Sequence, residues 1–87
     1  MRSFVLYGTL GCHLCTVAEQ LIATTLDLNV VSIELVDIAD DDGLIEQYGV
    51  LIPVLAESKS GFELCWPFDS QQLIRFVTDS VAKSLKD

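Results

Sequence analysis

Cys12 and Cys15 stand three residues apart at the seam between a short apolar run and an amphipathic segment, and that placement constrains the chain more than any other feature. The run is residues 3–7, Ser-Phe-Val-Leu-Tyr, closed by Gly8 and Gly11, and it reads as a strand buried on both faces. After it, Leu14, Val17, Ala18, Leu21, Ile22 and Leu26 recur at spacings of three and four, which puts one buried stripe on a helix over about residues 12–26. The cysteine pair therefore falls at a strand-to-helix turn, with Cys12 at the helix start.

The rest of the chain extends this unit. Residues 30–36, Val-Val-Ser-Ile-Glu-Leu-Val, are rich in branched side chains without a helical period and predict a second strand. Strand, helix and strand imply a parallel, right-handed crossover. Asp40, Asp41 and Asp42 precede Leu44, Ile45 and Tyr48, the pattern of a short helix with acids at its positive end, and Gly49 stands where a left-handed helix terminus needs glycine. Residues 53–56 and 62–66 predict two strands joined by the turn Ser58-Lys59-Ser60-Gly61. Asp69 and Gln72 have capping-box spacing before a last helix whose buried stripe is Leu73, Phe76, Val77, Val81 and Leu85. The predicted fold is α/β, β-α-β-α-β-β-α, a four-stranded mixed sheet with helices on both faces, in one domain over residues 1–87.

Composition supports a dense core: 51% of the residues are hydrophobic and 21% charged, which is needed in a chain that buries only roughly 60% of its unfolded surface. Thirteen acidic residues against five basic ones give a net charge of -8, so nucleic acid and anionic membranes are not expected as partners. The apolar run before Gly8 is too short for a signal peptide, and no run approaches the length of a membrane span. Three cysteines without an export signal fit a reducing compartment, the cytoplasm, where a close pair is catalytic or metal-binding more often than structural.

At the start of a helix, free backbone N–H groups and the positive end of the dipole favour a thiolate. Cys12 is thus the candidate nucleophile, and Cys15, about one turn on and roughly 5 Å away between Cα atoms, is the candidate resolving thiol. His13 between them, when protonated, would offset the acidic surface and lower the Cys12 pKa; the competing reading is a solvent-facing side chain without a role. Simple packing of the two thiols as small hydrophobes is the bland alternative. A zinc or iron-sulfur site drawing on Cys12, Cys15, Cys65 and His13 is a weaker one, because no second Cys-x-x-Cys completes the set. Flanked by Leu64 and Trp66, Cys65 reads as a buried strand residue.

This element order, with Cys-x-x-Cys between the first strand and first helix and Ile52-Pro53 opening the third strand, resembles the thioredoxin and glutaredoxin superfamily over essentially the whole chain. The Leu-Cys-Trp-Pro-Phe-Asp stretch and the acidic second helix are similar to short bacterial glutaredoxin-like proteins of unassigned role. The resemblance implies a cis Ile52-Pro53 bond facing the cysteines, with the backbone of residue 52 offered to substrate, and thiol-disulfide oxidoreductase activity on protein or small-molecule disulfides. Tyr7, five residues before Cys12, also matches the superfamily pattern, although a strand-end tyrosine is commonly a packing residue.

Two departures bear on the partner. Trp66 and Pro67 replace the paired glycines that hold glutathione in ordinary glutaredoxins, and Gly8-Thr9-Leu10-Gly11 lacks their lysine. Losing that cation on an acidic protein argues against tight glutathione binding, so no tightly bound cofactor is expected. Trp66 either covers the site with a stackable surface or completes the core. Asp69, which matches a glutaredoxin aspartate, is accounted for as a helix cap. The expected protein is a monomeric dithiol enzyme acting on a disulfide-containing protein or small thiol, its reductant unspecified. The alternative class is a non-catalytic binding module that keeps the fold and its cysteines.

Overall fold

The computed structural model describes residues 2–86; for Arg2 and residues 79–86 the description is of the backbone alone. Strand β1 (Arg2–Gly8) leads through a tight loop to helix α1 (His13–Thr25), then to β2 (Val31–Asp37). A single 3-10 turn (Ile38–Asp40) joins β2 to α2 (Asp42–Tyr48). Strands β3 (Val54–Glu57) and β4 (Glu63–Cys65) follow, and α3 (Ser70–Lys86) ends the chain. The sheet order is β2-β1-β3-β4, with β1 parallel to β2 and antiparallel to β3, and β3 antiparallel to β4. This is the predicted mixed α/β architecture, with each strand bound moved by one residue.

Alternation along the central strands sorts side chains to two faces. Phe4 and Leu6 of β1 and Leu55 of β3 pack with Ala18 and Ile22 of α1, Phe68, and Leu73 of α3. On the other face Tyr7 and Val54 pack with Ile38, Tyr48, Leu44 and Ile52 around α2. Strand β1 is thus covered on both sides, fully at Phe4 and Leu6 and partly at Val5 and Tyr7. Leu73 of the α3 stripe is buried and Phe76 and Val77 pack beside it; the side chains of Val81 and Leu85 lie outside the described residues.

Three expectations are corrected. Leu14 is exposed, because the buried stripe of α1 runs through Cys15, Ala18 and Ile22, a helical series in which the second cysteine itself takes the core position. Cys65 is exposed, not buried. Strand β4 is a three-residue edge strand whose middle residue, Leu64, turns to the core, so Glu63 and Cys65 must face the other way. Gly49 ends α2 in right-handed conformation, φ -52° and ψ -35°, not left-handed. Glycine serves there because a Cβ would stand 2.5 Å from the carbonyl oxygen of Ile45.

Candidate active site

Helix α1 begins on the sulfur chemistry itself. Cys12 is its N-cap, with extended backbone (φ -81°, ψ 108°), and the Cys15 N–H donates to Cys12 Sγ at 3.2 Å. A sulfur thus fills the capping role that oxygen side chains usually take, satisfying one of the free donors of the first turn. Cys12 and Cys15 are joined as a disulfide with Cα atoms 5.2 Å apart. Their exposure differs: Cys12 is half-buried, whereas Cys15 is 4% exposed. Cys15 lies against the end of β1, where Gly8 makes room for it; a Cβ on Gly8 would fall 2.9 Å from Cys15 Sγ.

The register of the sheet gathers the remaining site residues at the same end. Gly8 pairs with Asp37 of β2, and the Tyr7–Val54 pair of β1 and β3 sets Pro53 at the level of Gly8. The Trp66 N–H donates to the Pro53 carbonyl at 3.0 Å, extending the row to the end of β4. The cysteines, Ile52-Pro53 and Trp66 therefore share one end of the molecule. Ile52-Pro53 is cis, and so is Trp66-Pro67, which sequence reading had not anticipated. Pro53 is buried and Ile52 half-buried, with the Ile52 N–H donated to the Tyr48 carbonyl. Trp66 packs against the main core and sets its ring edge to Phe68, centroids 5.1 Å apart, so it completes the core while standing at the site.

His13, the first residue of α1, is exposed. Asp69 and Gln72 form the reciprocal capping box: the Gln72 N–H donates to Asp69 Oδ1 at 2.8 Å and the Asp69 N–H to Gln72 Oε1 at 2.9 Å. The aspartates before α2 act in the same way, Asp37 accepting from the Ala39 N–H and Asp41 from the Leu44 N–H. Among the described residues no three His, Cys, Asp or Glu side chains form a group able to hold a metal ion.

Sequence reading missed a polar connection beside the site. Tyr7 stacks on Tyr48, ring centroids 4.4 Å apart, and the Tyr48 hydroxyl donates to the Glu63 carboxylate. That hydrogen bond, with burial next and then the Glu63 charge and the neighbouring Tyr7, holds the Tyr48 phenol well above its ordinary pKa. The partners lie 15 residues apart on different elements, so no local pattern announces them. The Gly8–Cys15 contact had a visible signal: a glycine closing the strand that leads to the motif.

A Cys-x-x-Cys pair at a helix start, at the same end of the sheet as a cis proline and on a mixed sheet of this order, defines a protein of the thioredoxin-like class. The glutaredoxin-like domain family (DUF836) matches residues 3–78, and the chain belongs to that family. Two solved structures of the structural-genomics target protein XcR50 from X. campestris are similar at 34% identity. The X-ray structure aligns with a TM-score of 0.78 over 87% of this chain and 96% of that one. The solution structure gives 0.75 over 91% and 95%. No curated protein matches. Among the described residues no helix is long and apolar enough to cross a membrane.

Proposed function

We propose that this protein is a thiol-disulfide oxidoreductase of a reducing compartment, with Cys12 as nucleophile and Cys15 as resolving thiol. The observation that carries the reading is the pairing of a half-exposed Cys12, whose Sγ accepts the Cys15 N–H at 3.2 Å, with a buried Cys15 within bonding reach. In the reduced protein that N–H and the helix dipole stabilise the Cys12 thiolate.

The thiolate attacks one sulfur of a substrate disulfide, forming a Cys12–substrate bond while the other substrate sulfur leaves as a thiolate and takes a proton. Cys15, deprotonated, then attacks Cys12 Sγ and releases the second substrate thiol. The substrate gains two electrons and two protons, and the Cys12–Cys15 disulfide is regenerated; a thiol or flavoprotein disulfide reductant must reduce it again. Ile52, Pro53 and Trp66 form the docking side for substrate. Because the Ile52 N–H is committed to Tyr48, the Ile52 carbonyl is the group left to pair with an extended substrate backbone.

The test is a trap. Cys15→Ser is expected to accumulate a mixed disulfide with substrate and Cys12→Ser to accumulate none; equal trapping by both would overturn the assignment. Failure of the wild type to reduce 2-hydroxyethyl disulfide under either glutathione with its reductase or a thioredoxin reductase would point to a binding module.

A further inference from the structure

A groove runs along the side of the molecule away from Pro53, between α1 and β2. It consists of two adjoining cavities of about 230 and 180 Å³, which share Leu6, Glu19 and Leu35 as walls. The larger is closed at one end by Cys15, Gly8 and Leu10, and the smaller continues past Ile22 and Leu28. Leu10, Leu35 and Leu28 are 90%, 58% and 52% exposed, so the rim leaves large apolar side chains in water. The charged residues lining the groove are Glu19 and Asp37, both carboxylates, and neither has an ion-pair partner among the described residues. Asp37 uses Oδ1 to cap the Ala39 N–H, so one of its two carboxylate oxygens is already engaged. Beside the groove, β2 is one of the two edge strands of the sheet.

We propose that this groove docks an extended, basic segment of the partner protein whose disulfide the Cys12–Cys15 pair reduces, an inference that rests on the redox reading above. Apolar side chains of the segment fill the walls around Leu35 and Leu6, and a lysine or arginine reaches between Glu19 and Asp37. The sign of the occupant follows from charge complementarity with two unpaired carboxylates in an apolar setting. Its extended form follows from the unpaired backbone of the β2 edge. The bound segment leads along Leu10 into the loop before Cys12, whose N–H already bonds to the Thr9 carbonyl. A second copy of this chain is disfavoured as occupant because it would bring another net charge of -8.

The test uses two synthetic disulfide-bridged peptides of the same apolar frame, one bearing lysines and the other glutamates at the same positions. At low ionic strength the reduced protein is expected to favour the lysine peptide by about tenfold in kcat/KM, a preference that shrinks in high salt. The double variant Glu19→Gln/Asp37→Asn should bring the ratio close to one. In the oxidised protein, a cysteine-free lysine peptide should move the amide resonances of Glu19, Leu28 and Leu35. A peptide ratio untouched by the double variant, amide resonance changes confined to Ile52 and Trp66, or concentration-dependent self-association through Leu35 would each overturn the proposal. Reduction of 2-hydroxyethyl disulfide by the wild type judges the redox reading separately, and the resonance mapping decides the groove even where that reduction fails.

Discussion

A methyl group added at Gly8 would stand 2.9 Å from Cys15 Sγ and 3.3 Å from its Cβ, so the end of β1 and the buried Cys15 side chain are fitted to each other. Such approach is closer than carbon and sulfur tolerate, and a packed interior answers it by shifting. In the disulfide, Cys15 is held from both ends and has little room to turn; in the dithiol its sulfur can change rotamer. Gly8→Ala is therefore expected to destabilise the oxidised protein by about 1–3 kcal/mol and the reduced protein by less. Thermal melts of both forms check this, with a drop of several degrees in the oxidised form as the expected result; equal losses in the two forms would contradict the fit.

The Tyr48–Glu63 hydrogen bond ties α2 to the edge strand β4. Tyr48→Phe keeps the ring stacked on Tyr7 and removes the donor, with an expected loss of about 1.5 kcal/mol, the lower range for a bond to a charged group because Glu63 is exposed. The phenol pKa is raised in the native state, so the folded protein holds this proton more tightly than the unfolded chain, whose tyrosine titrates near about 10. The contribution is complete below that pH and is lost as pH rises above it. Urea unfolding across the alkaline range should show the wild type losing stability more steeply than Tyr48→Phe, and parallel curves would remove Tyr48 from the account.

How far the fold could be read from sequence depended on whether the deciding interaction was local. The strand-to-helix placement of Cys12 and Cys15, the capping box of Asp69 and Gln72, and the apolar period of α3 at Leu73 are short-range patterns, and the structure keeps all three. Leu14 and Cys65 were misjudged for a shared reason. Leu14 keeps helical spacing with Val17 and Ala18 and Cys65 is flanked by Leu64 and Trp66, but the burial of each depends on which face its element turns inward. At α1 that face belongs to Cys15, and at β4 it belongs to Leu64. The gathering of Pro53 and Trp66 beside Gly8 depends on sheet register, which motifs suggest but do not state.

His13 tests how much of the reactivity of Cys12 is built from backbone. The sulfur already accepts a helix N–H, and any influence of the exposed imidazole next to it is limited to screened charge. His13→Ala is expected to raise the pH midpoint of Cys12 alkylation in the reduced protein by about 0.3 units, a small effect in keeping with an exposed charge. Iodoacetamide rates against pH in the two proteins supply the measurement. An unchanged midpoint would leave the helix start as the whole cause.

Asp69 separates a structural role from a ligand-binding one. Its side chain accepts the Gln72 N–H at 2.8 Å while Gln72 returns a bond to the Asp69 N–H, and both start α3, whose Leu73 is fully buried in the main core. Loss of an N-cap costs about 1 kcal/mol, whereas asparagine caps as well as aspartate. Asp69→Ala should therefore lower the unfolding free energy by about 1 kcal/mol, and Asp69→Asn should retain wild-type stability. If the carboxylate served to bind a charged ligand such as the γ-glutamyl end of glutathione, Asp69→Asn would instead raise KM for glutathione-linked disulfides while leaving stability alone. The cap predicts the first pattern, and comparing unfolding with kinetics in the asparagine variant tells them apart.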